Sequence, residues 1–399
     1  MFGLDLPFDA IVIGGGPGGA TAALLLARAG WSVALIERKA FPRRKVCGEY
    51  LSATNLPLLD QLGLADEFLN RSGPAIRRVA LFAGDQVVTA PLPQLSARPG
   101  KWGRALGREH LDSLLVERAR LAGAVVIQPA AVRQLRNFDG EYLCAVDGVS
   151  RCLLSRVVIA AHGYWEPGPL STQPPASPVR PNDLLGFKAH FTDSDLPADL
   201  MPLLAFPGGY GGMVHTDGGR VSLSCCIRRD RLAKLRCPRD ESELLGAGEA
   251  LLDHILDSCR GVRDVLRGAR RDGGWLAAGP LRPGIRVRPN GGLFAVGNAA
   301  GEAHPVVAEG ISMAMQAAWL LAHRLIARGP RSRCWNSVGR EYARAWRRAF
   351  GPRLRAAAVY AHWAMRPAAV RAAMPLLRAF PSLLRWGARL SGKASRIVS

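Results

Sequence analysis

The chain has 399 residues, of which 48% are hydrophobic and 21% charged, and its formal net charge is +21. That length exceeds what one hydrophobic core usually fills, so two packed domains are expected, and the ordinary composition excludes a disordered or low-complexity protein. The first expected strand starts at Asp9 and no apolar run reaches bilayer-spanning length, so neither export nor a membrane span is expected.

The first element in chain order is a short apolar strand, Asp9 to Ile13, followed by Gly14-Gly-Gly-Pro-Gly-Gly19 and an apolar helix from Ala20 to Ala29. Gly30 stops that helix, and a second strand, Val33 to Ile36, ends in Glu37. This is a βαβ unit with a G-x-G-x-x-G turn at its first junction. Gly14 permits the tight turn, Gly16 lets backbone approach a pyrophosphate, and Gly19 lets helix and strand pack closely; Glu37 is then placed to hold an adenosine ribose.

Further along, His110 to Ala122 is expected as a helix and Val125 to Ile127 as a strand. Val132–Leu135 and Tyr142–Val146 form a hairpin turning at Asn137 to Gly140, and Val157 to Ala160 is another buried strand. The Pro-rich stretch from Pro167 to Pro181 marks a boundary. Beyond it, Leu185–Phe191, Leu203–Phe206 and Val221–Ile227 predict a mostly antiparallel sheet, with a turn at Asp217-Gly-Gly219. Core-like sequence returns at Gly292 to Gly297, before a long helix from Gly310 to Ala327.

The eight cysteines include the adjacent Cys225 and Cys226, with no C-x-x-C pair or histidine partner at metal-ligand spacing. They are expected to be reduced thiols of a cytoplasmic protein, with no metal site. After Glu309 the only acidic residue is Glu341, so the positive charge concentrates in an Arg-rich, apolar C-terminal segment interrupted by Pro367, Pro375 and Pro381. Short amphipathic helices of this kind suit an anionic membrane surface; packing onto the rest of the chain is the alternative, and nucleic acid is not expected.

The segment Leu293-Phe-Ala-Val-Gly-Asn-Ala-Ala-Gly301, followed by Pro305-Val-Val-Ala-Glu-Gly-Ile311, resembles the G-D-A-A-G…P-x-x-G-E-G-I segment of geranylgeranyl reductase-like flavoproteins, in the p-hydroxybenzoate hydroxylase-like superfamily. Arg43 to Ser52 resembles the Cys-Gly-rich segment that lines the flavin pocket in that family, and Arg108 its helix-start arginine. The resemblance implies an α/β fold: a Rossmann-like FAD-binding core (1–180 and 281–330), an inserted antiparallel-sheet substrate domain (181–280) and a basic helical C-terminal segment (331–399). It implies FAD contacts at Gly14, Gly16, Gly18, Gly19, Glu37, Arg38, Val46, Cys47, Arg108, Val132, Asn298, Gly310 and Ile311, with Cys47 as a reactive thiol facing the flavin ring. Tyr210 and His215 are the implied substrate contacts.

Three departures bear on activity. Asn298 stands where the family has Asp, removing a negative charge, and Ala161-His162-Gly163 replaces the Asp-Gly pair of related hydroxylases, which bears on NAD(P)H use. The aromatic-rich cavity segment is reduced to Tyr210-Gly-Gly-Met-Val-His215. The activity implied is FAD-dependent reduction of carbon–carbon double bonds in a hydrophobic isoprenoid, lipid or polyketide-like substrate, with NAD(P)H or a separate donor as reductant. The alternatives are FAD-dependent hydroxylation of an aromatic or polyketide substrate, and a non-catalytic membrane or nucleic-acid binding protein on a flavoprotein scaffold.

Overall fold

The computed structural model describes residues 7–94, 101–165, 167–168, 170–175, 178–236 and 246–390. Part of the Pro-rich boundary and the last nine residues of the basic C-terminal segment lie outside the described residues.

The chain opens with β1 (Ala10–Ile13), α1 (Pro17–Arg28) and β2 (Val33–Ile36), followed by a hairpin of β3 (Arg78–Ala83) and β4 (Gln86–Pro91). Next come α2 (Arg108–Leu121), β5 (Val125–Ile127), the antiparallel β6 (Val132–Phe138), β7 (Glu141–Val146) and β8 (Leu153–Ser155), and β9 (Val157–Ala160). The second half contributes β10 (Leu184–Thr192), β11 (Leu200–Phe206), β12 (Gly209–His215), β13 (Val221–Arg228), β14 (Arg270–Leu281) and β15 (Leu293–Ala295). Four helices follow: α3 (Gly310–Arg328), α4 (Trp335–Ala364), α5 (Pro367–Ala379) and α6 (Ser382–Ala388).

The first sheet is wholly parallel, in the order β15-β9-β1-β2-β5. β1, β2 and β9 are buried at every position, as strands covered on both faces must be, and this explains their unbroken apolar sequence. α1 and α3 pack against it through one cluster that includes Leu24, Leu26, Met315 and Leu321. The expected Rossmann-like core is therefore present, and residue 293 onward returns to it as β15, hydrogen-bonded alongside β9.

The second sheet has seven strands in the order β14-β10-β13-β12-β11-β3-β4. It is not confined to residues 181–280, because β3 and β4 join it from residues 78–91, and β3 pairs with β11 in parallel. The signal was present as the apolar run Val79–Ala83, the Gly84-Asp85 turn and Val87-Val88; a hairpin distant in sequence completes the sheet because its apolar face needs a partner. One sheet face packs on the helices spanning 247–266, and the other receives α4, α5 and α6.

Candidate active site

A cavity lies between the two sheets, and the βαβ turn forms one wall of it. Gly16, Pro17 and Gly18 line it at the start of α1, whose first turn has no side-chain cap and so presents free N–H groups with a partial positive charge. Gly14 has φ +112°, and a Cβ there would sit 2.6 Å from the Ala161 carbonyl oxygen. A Cβ on Gly19 would collide with the Gly14 carbonyl oxygen, whereas one on Gly16 would meet only Arg108 Nη2, at 3.6 Å. The first and third glycines therefore serve the fold, and the middle one leaves backbone open to the cavity.

Glu37 is buried and braces this turn: Gly15 N–H donates to its Oε2 at 2.7 Å and Lys39 N–H to its Oε1 at 2.9 Å. Arg38 beside it is exposed and does not line the cavity. Val132 also stands off the lining, on β6, with only the nearby Ala130 N–H reaching the Glu37 carbonyl, at 2.8 Å. Arg108 is buried and lines the cavity, with its guanidinium held by Asp112 through bonds of 2.8 and 2.7 Å from Nε and Nη2. Lys45 shares this wall, its ammonium 4.7 Å from the Trp165 ring. Burial, then the Arg108 and Arg43 charges, push its pKa down to about 8, so an anion placed here would draw the proton back.

Val46, Cys47, Gly48 and Glu49 form the next part of the wall. The Cys47 carbonyl accepts from Ser224 Oγ at 2.8 Å, and its thiol sulfur takes the Glu49 N–H at 3.4 Å. Glu49 itself has φ +60° and is 1% exposed. Its Oε1 accepts from the Lys188 ammonium, while His190 Nε2 donates to Oε2 at 2.9 Å. Burial alone would raise this carboxyl, but the His190 hydrogen bond and the Lys188 charge hold it down to about 2. The buried Glu49–Lys188 ion pair, with His190 on the other carboxylate oxygen, thus ties this loop to β10. Sequence reasoning missed it because Lys188 and His190 sit within the apolar run of that strand.

Opposite lies the segment after β15. Asn298, Gly310, Ile311 and Ala314 line the cavity, so α3 starts at its wall. Asn298 Nδ2 donates to Glu302 Oε1 at 2.8 Å, and Trp165 Nε1 donates to the same oxygen at 2.7 Å. Glu302 Oε2 has no hydrogen-bond partner, and the nearest cation, Arg286 Nη2, is 3.8 Å away. Burial pushes the pKa of Glu302 up.

The part of the cavity wall formed by Phe187, Met201, Leu203, Met213, Val214 and Leu281 is apolar. Tyr210 is its polar exception: fully buried on β12, it is hydrogen-bonded to His304 Nδ1 at 3.1 Å. Burial raises the phenol well above its ordinary range, and burial, then His362, lowers His304 to about 4. Tyr210 is thus a protonated phenol beside a neutral imidazole. His215, the other expected substrate contact, does not line the cavity; it stands at the end of β12, and its ring Nε2 meets the Leu196 carbonyl at 2.7 Å. His162 is likewise neutral, lowered to about 4 by burial, with both ring nitrogens engaged by Gly163 O and Thr172 Oγ1 at 2.8 Å.

Glu109, His110 and Asp217 bring potential ligand atoms within 4.8 Å of one another outside the cavity. Arg220 pairs with both carboxylates there and Arg44 with Glu109, so the group is an ion-pair cluster.

An open glycine backbone beside Arg108 and Lys45, an uncapped helix start, and an orphaned carboxylate oxygen beside Asn298 together fit a dinucleotide laid along the first sheet. Gly16, Gly18, Arg108 and Lys45 would hold its phosphates, with Asn298 and the N-terminus of α3 at the other end. The fold and site define a nucleotide-binding flavoprotein. Residues 8–168 match the FAD binding domain family. The chain is 29% identical over 316 residues to digeranylgeranylglycerophospholipid reductase 2 of Methanopyrus kandleri, covering 77% of this chain and 74% of that one. It is 28% identical over 167 residues to kynurenine 3-monooxygenase of Salinispora arenicola, covering 35% of this chain and 36% of that one. Among solved structures, the flavin-dependent brominase Bmp2 superposes with a TM-score of 0.74 at 19% identity, over 97% of this chain and 94% of that one, a likeness of fold. The protein is an FAD-dependent oxidoreductase, and the geranylgeranyl reductase-like resemblance extends over three quarters of it.

Proposed function

We propose that this oxidoreductase saturates a carbon–carbon double bond in a hydrophobic, isoprenoid-type or lipid substrate. The observation that carries the reading is Tyr210, a phenol that burial keeps protonated, set in an apolar wall and hydrogen-bonded to His304. Reduced flavin held by Gly16, Gly18, Arg108 and Lys45 would supply the hydride for one alkene carbon. Tyr210 gives its proton to the other carbon, with its hydroxyl oriented by His304 Nδ1, and the phenolate regains a proton from solvent; the double bond gains two hydrogens. The match to a digeranylgeranylglycerophospholipid reductase supports the substrate class. His162, with both nitrogens held in its own loop, offers no contact to a pyridine nucleotide, which favours a separate electron donor over NAD(P)H.

The test is anaerobic: holoenzyme reduced with light or dithionite is mixed with a polyprenyl lipid, and product mass is measured. Two added hydrogens per double bond are expected, with Tyr210→Phe slowing the step by roughly 10²–10⁴-fold while FAD stays bound. An unchanged rate in that variant would remove Tyr210 as the acid. The second reading, hydroxylation, is favoured by Glu302, whose unpartnered Oε2 and raised pKa suit a base for a substrate hydroxyl, and by the kynurenine 3-monooxygenase match. Oxygen uptake in step with product would establish it in place of reduction.

A further inference from the structure

Twelve basic residues and no acidic one follow Glu341 in the sequence. This basic segment does not simply pack away. α5 and α6 bury one stripe, Val370, Met374, Leu384 and Ala388, against the second sheet, in the cluster that also holds the cavity residues Met201 and Tyr210. A second stripe remains outside: Leu376 and Phe380 four residues apart on α5 and its end, then Leu383 and Trp386 on α6 and Leu390 just past it, all between 39% and 65% exposed. Five of the large exposed apolar side chains of the described chain thus fall within fifteen residues, whereas the others are scattered. Arg366, Arg371, Arg378, Arg385 and Arg389 are exposed around them, and the Arg389 guanidinium lies 5.4 Å from the Trp386 ring. Among the described residues, no helix is long and apolar enough to cross a membrane.

We infer that α5 and α6 are a docking surface for an anionic lipid bilayer. The apolar stripe enters the headgroup boundary, and arginines with long apolar stems reach lipid phosphates beside it. A protein partner of matching charge would need an acidic rim around an apolar groove, whereas an anionic bilayer offers both features at every point of its surface. Placement supports the same occupant. At the α4–α5 junction, Ala358, Val359, His362, Trp363 and Arg366 line an outer hollow, and the His362 ring lies 5.9 Å from that of His304 in the cavity wall. The hollow thus adjoins the cavity wall next to the start of α5. The docking surface deepens the reading of a lipid substrate but stands on its own observations.

The experiment is flotation of the full-length holoenzyme with phosphatidylcholine vesicles, with and without phosphatidylglycerol. The protein is expected to rise with the anionic vesicles and to be released by salt. Phe380→Glu with Trp386→Glu replaces two side chains more than half exposed in the free protein. It should lower vesicle binding by at least roughly tenfold, from the apolar area no longer buried. Arg385→Gln with Arg389→Gln should lower it about 30-fold at low salt, at ~1 kcal/mol for each charge. Flavin absorbance and melting temperature of all variants should match the wild type. A yellow, monomeric wild type that stays at the bottom with both vesicle types overturns the inference. So does self-association that Phe380→Glu/Trp386→Glu abolishes, which would make the stripe a contact between copies. Reduction of detergent-dispersed substrate by a protein that does not float would refute only the docking, and flotation without product only the reaction.

Discussion

Glu49→Gln removes the single negative charge facing Lys188 and His190 and sets an amide N–H against one of these two donors, while keeping the side chain's size and the backbone at φ +60°. Lys188 is 0% exposed and His190 3%, so neither can turn to water for compensation. Breaking such a buried pair from one side costs about 3–5 kcal/mol, because an uncompensated cation stays behind. Spread over the 399-residue chain, at ~2.1 cal/mol/K of unfolding entropy per residue, this is a drop of about 4–6 °C in melting temperature. The same loop carries Cys47 and Gly48 into the cavity, so FAD should be released at the start of the transition. Adding Lys188→Met removes the stranded charge and should recover most of the loss, since a buried ion pair and an apolar replacement of similar volume are nearly equivalent. Thermal melts read by tryptophan fluorescence and flavin release measure both effects. If the single variant melts within about 1 °C of the wild type, or the double variant is no better than the single, the ion pair is not the tie described here.

Gly19→Ala forces α1 away from the Gly14 carbonyl and should yield protein without FAD, while Gly268→Ala, with nothing within 4 Å of the new Cβ, retains it; equal flavin content in both would refute the packing argument. His162 and His304 are lowered from 6.5 to about 4, so the unfolded chain binds their protons first. Their stabilisation is complete above pH 6.5 and should be lost as the pH falls toward about 4, and His304→Gln should flatten that decline in a pH series of melts. Asn298→Asp restores the residue common in related flavoproteins, yet here it sets one carboxylate against another at a 2.8 Å contact. FAD affinity should fall in that variant and return when Glu302→Gln is added, as read by flavin fluorescence during titration.

The parts of this molecule legible in its sequence are those whose chemistry is local. The βαβ turn declares itself because strand, glycines, helix and acidic residue fall within thirty residues, each required by its neighbour. The segment from Leu293 to Ile311 is readable for the same reason. What escaped is long-range pairing. Glu49 meets Lys188 and His190 across 139 and 141 positions, and neither partner interrupts the pattern of a buried strand enough to announce itself. β3 and β4 carry a legible hairpin, but nothing local says which sheet they join. His215 and Val132 mark the limit of carrying contacts over by motif, because a strand position that matches in sequence still takes the neighbours its place in the folded sheet gives it.

Asn298 shows how a single departure misleads when taken alone. Read by itself, it removes a charge from the flavin site. In the folded chain its amide holds Glu302, four residues on, so a carboxyl remains in the same wall, moved by the length of one side chain. The replacement is not equivalent. Trp165 and Asn298 both occupy Oε1, Arg286 stands 3.8 Å from Oε2 with its guanidinium 3.8 Å from the Tyr164 ring, and burial raises the pKa. A carboxyl held this way is ionised or protonated according to what lies against it, whereas an aspartate wholly satisfied by ribityl hydroxyls would be fixed. The site therefore carries a carboxyl on Glu302 rather than on residue 298, with Oε2 buried and unpartnered and the pKa raised by burial.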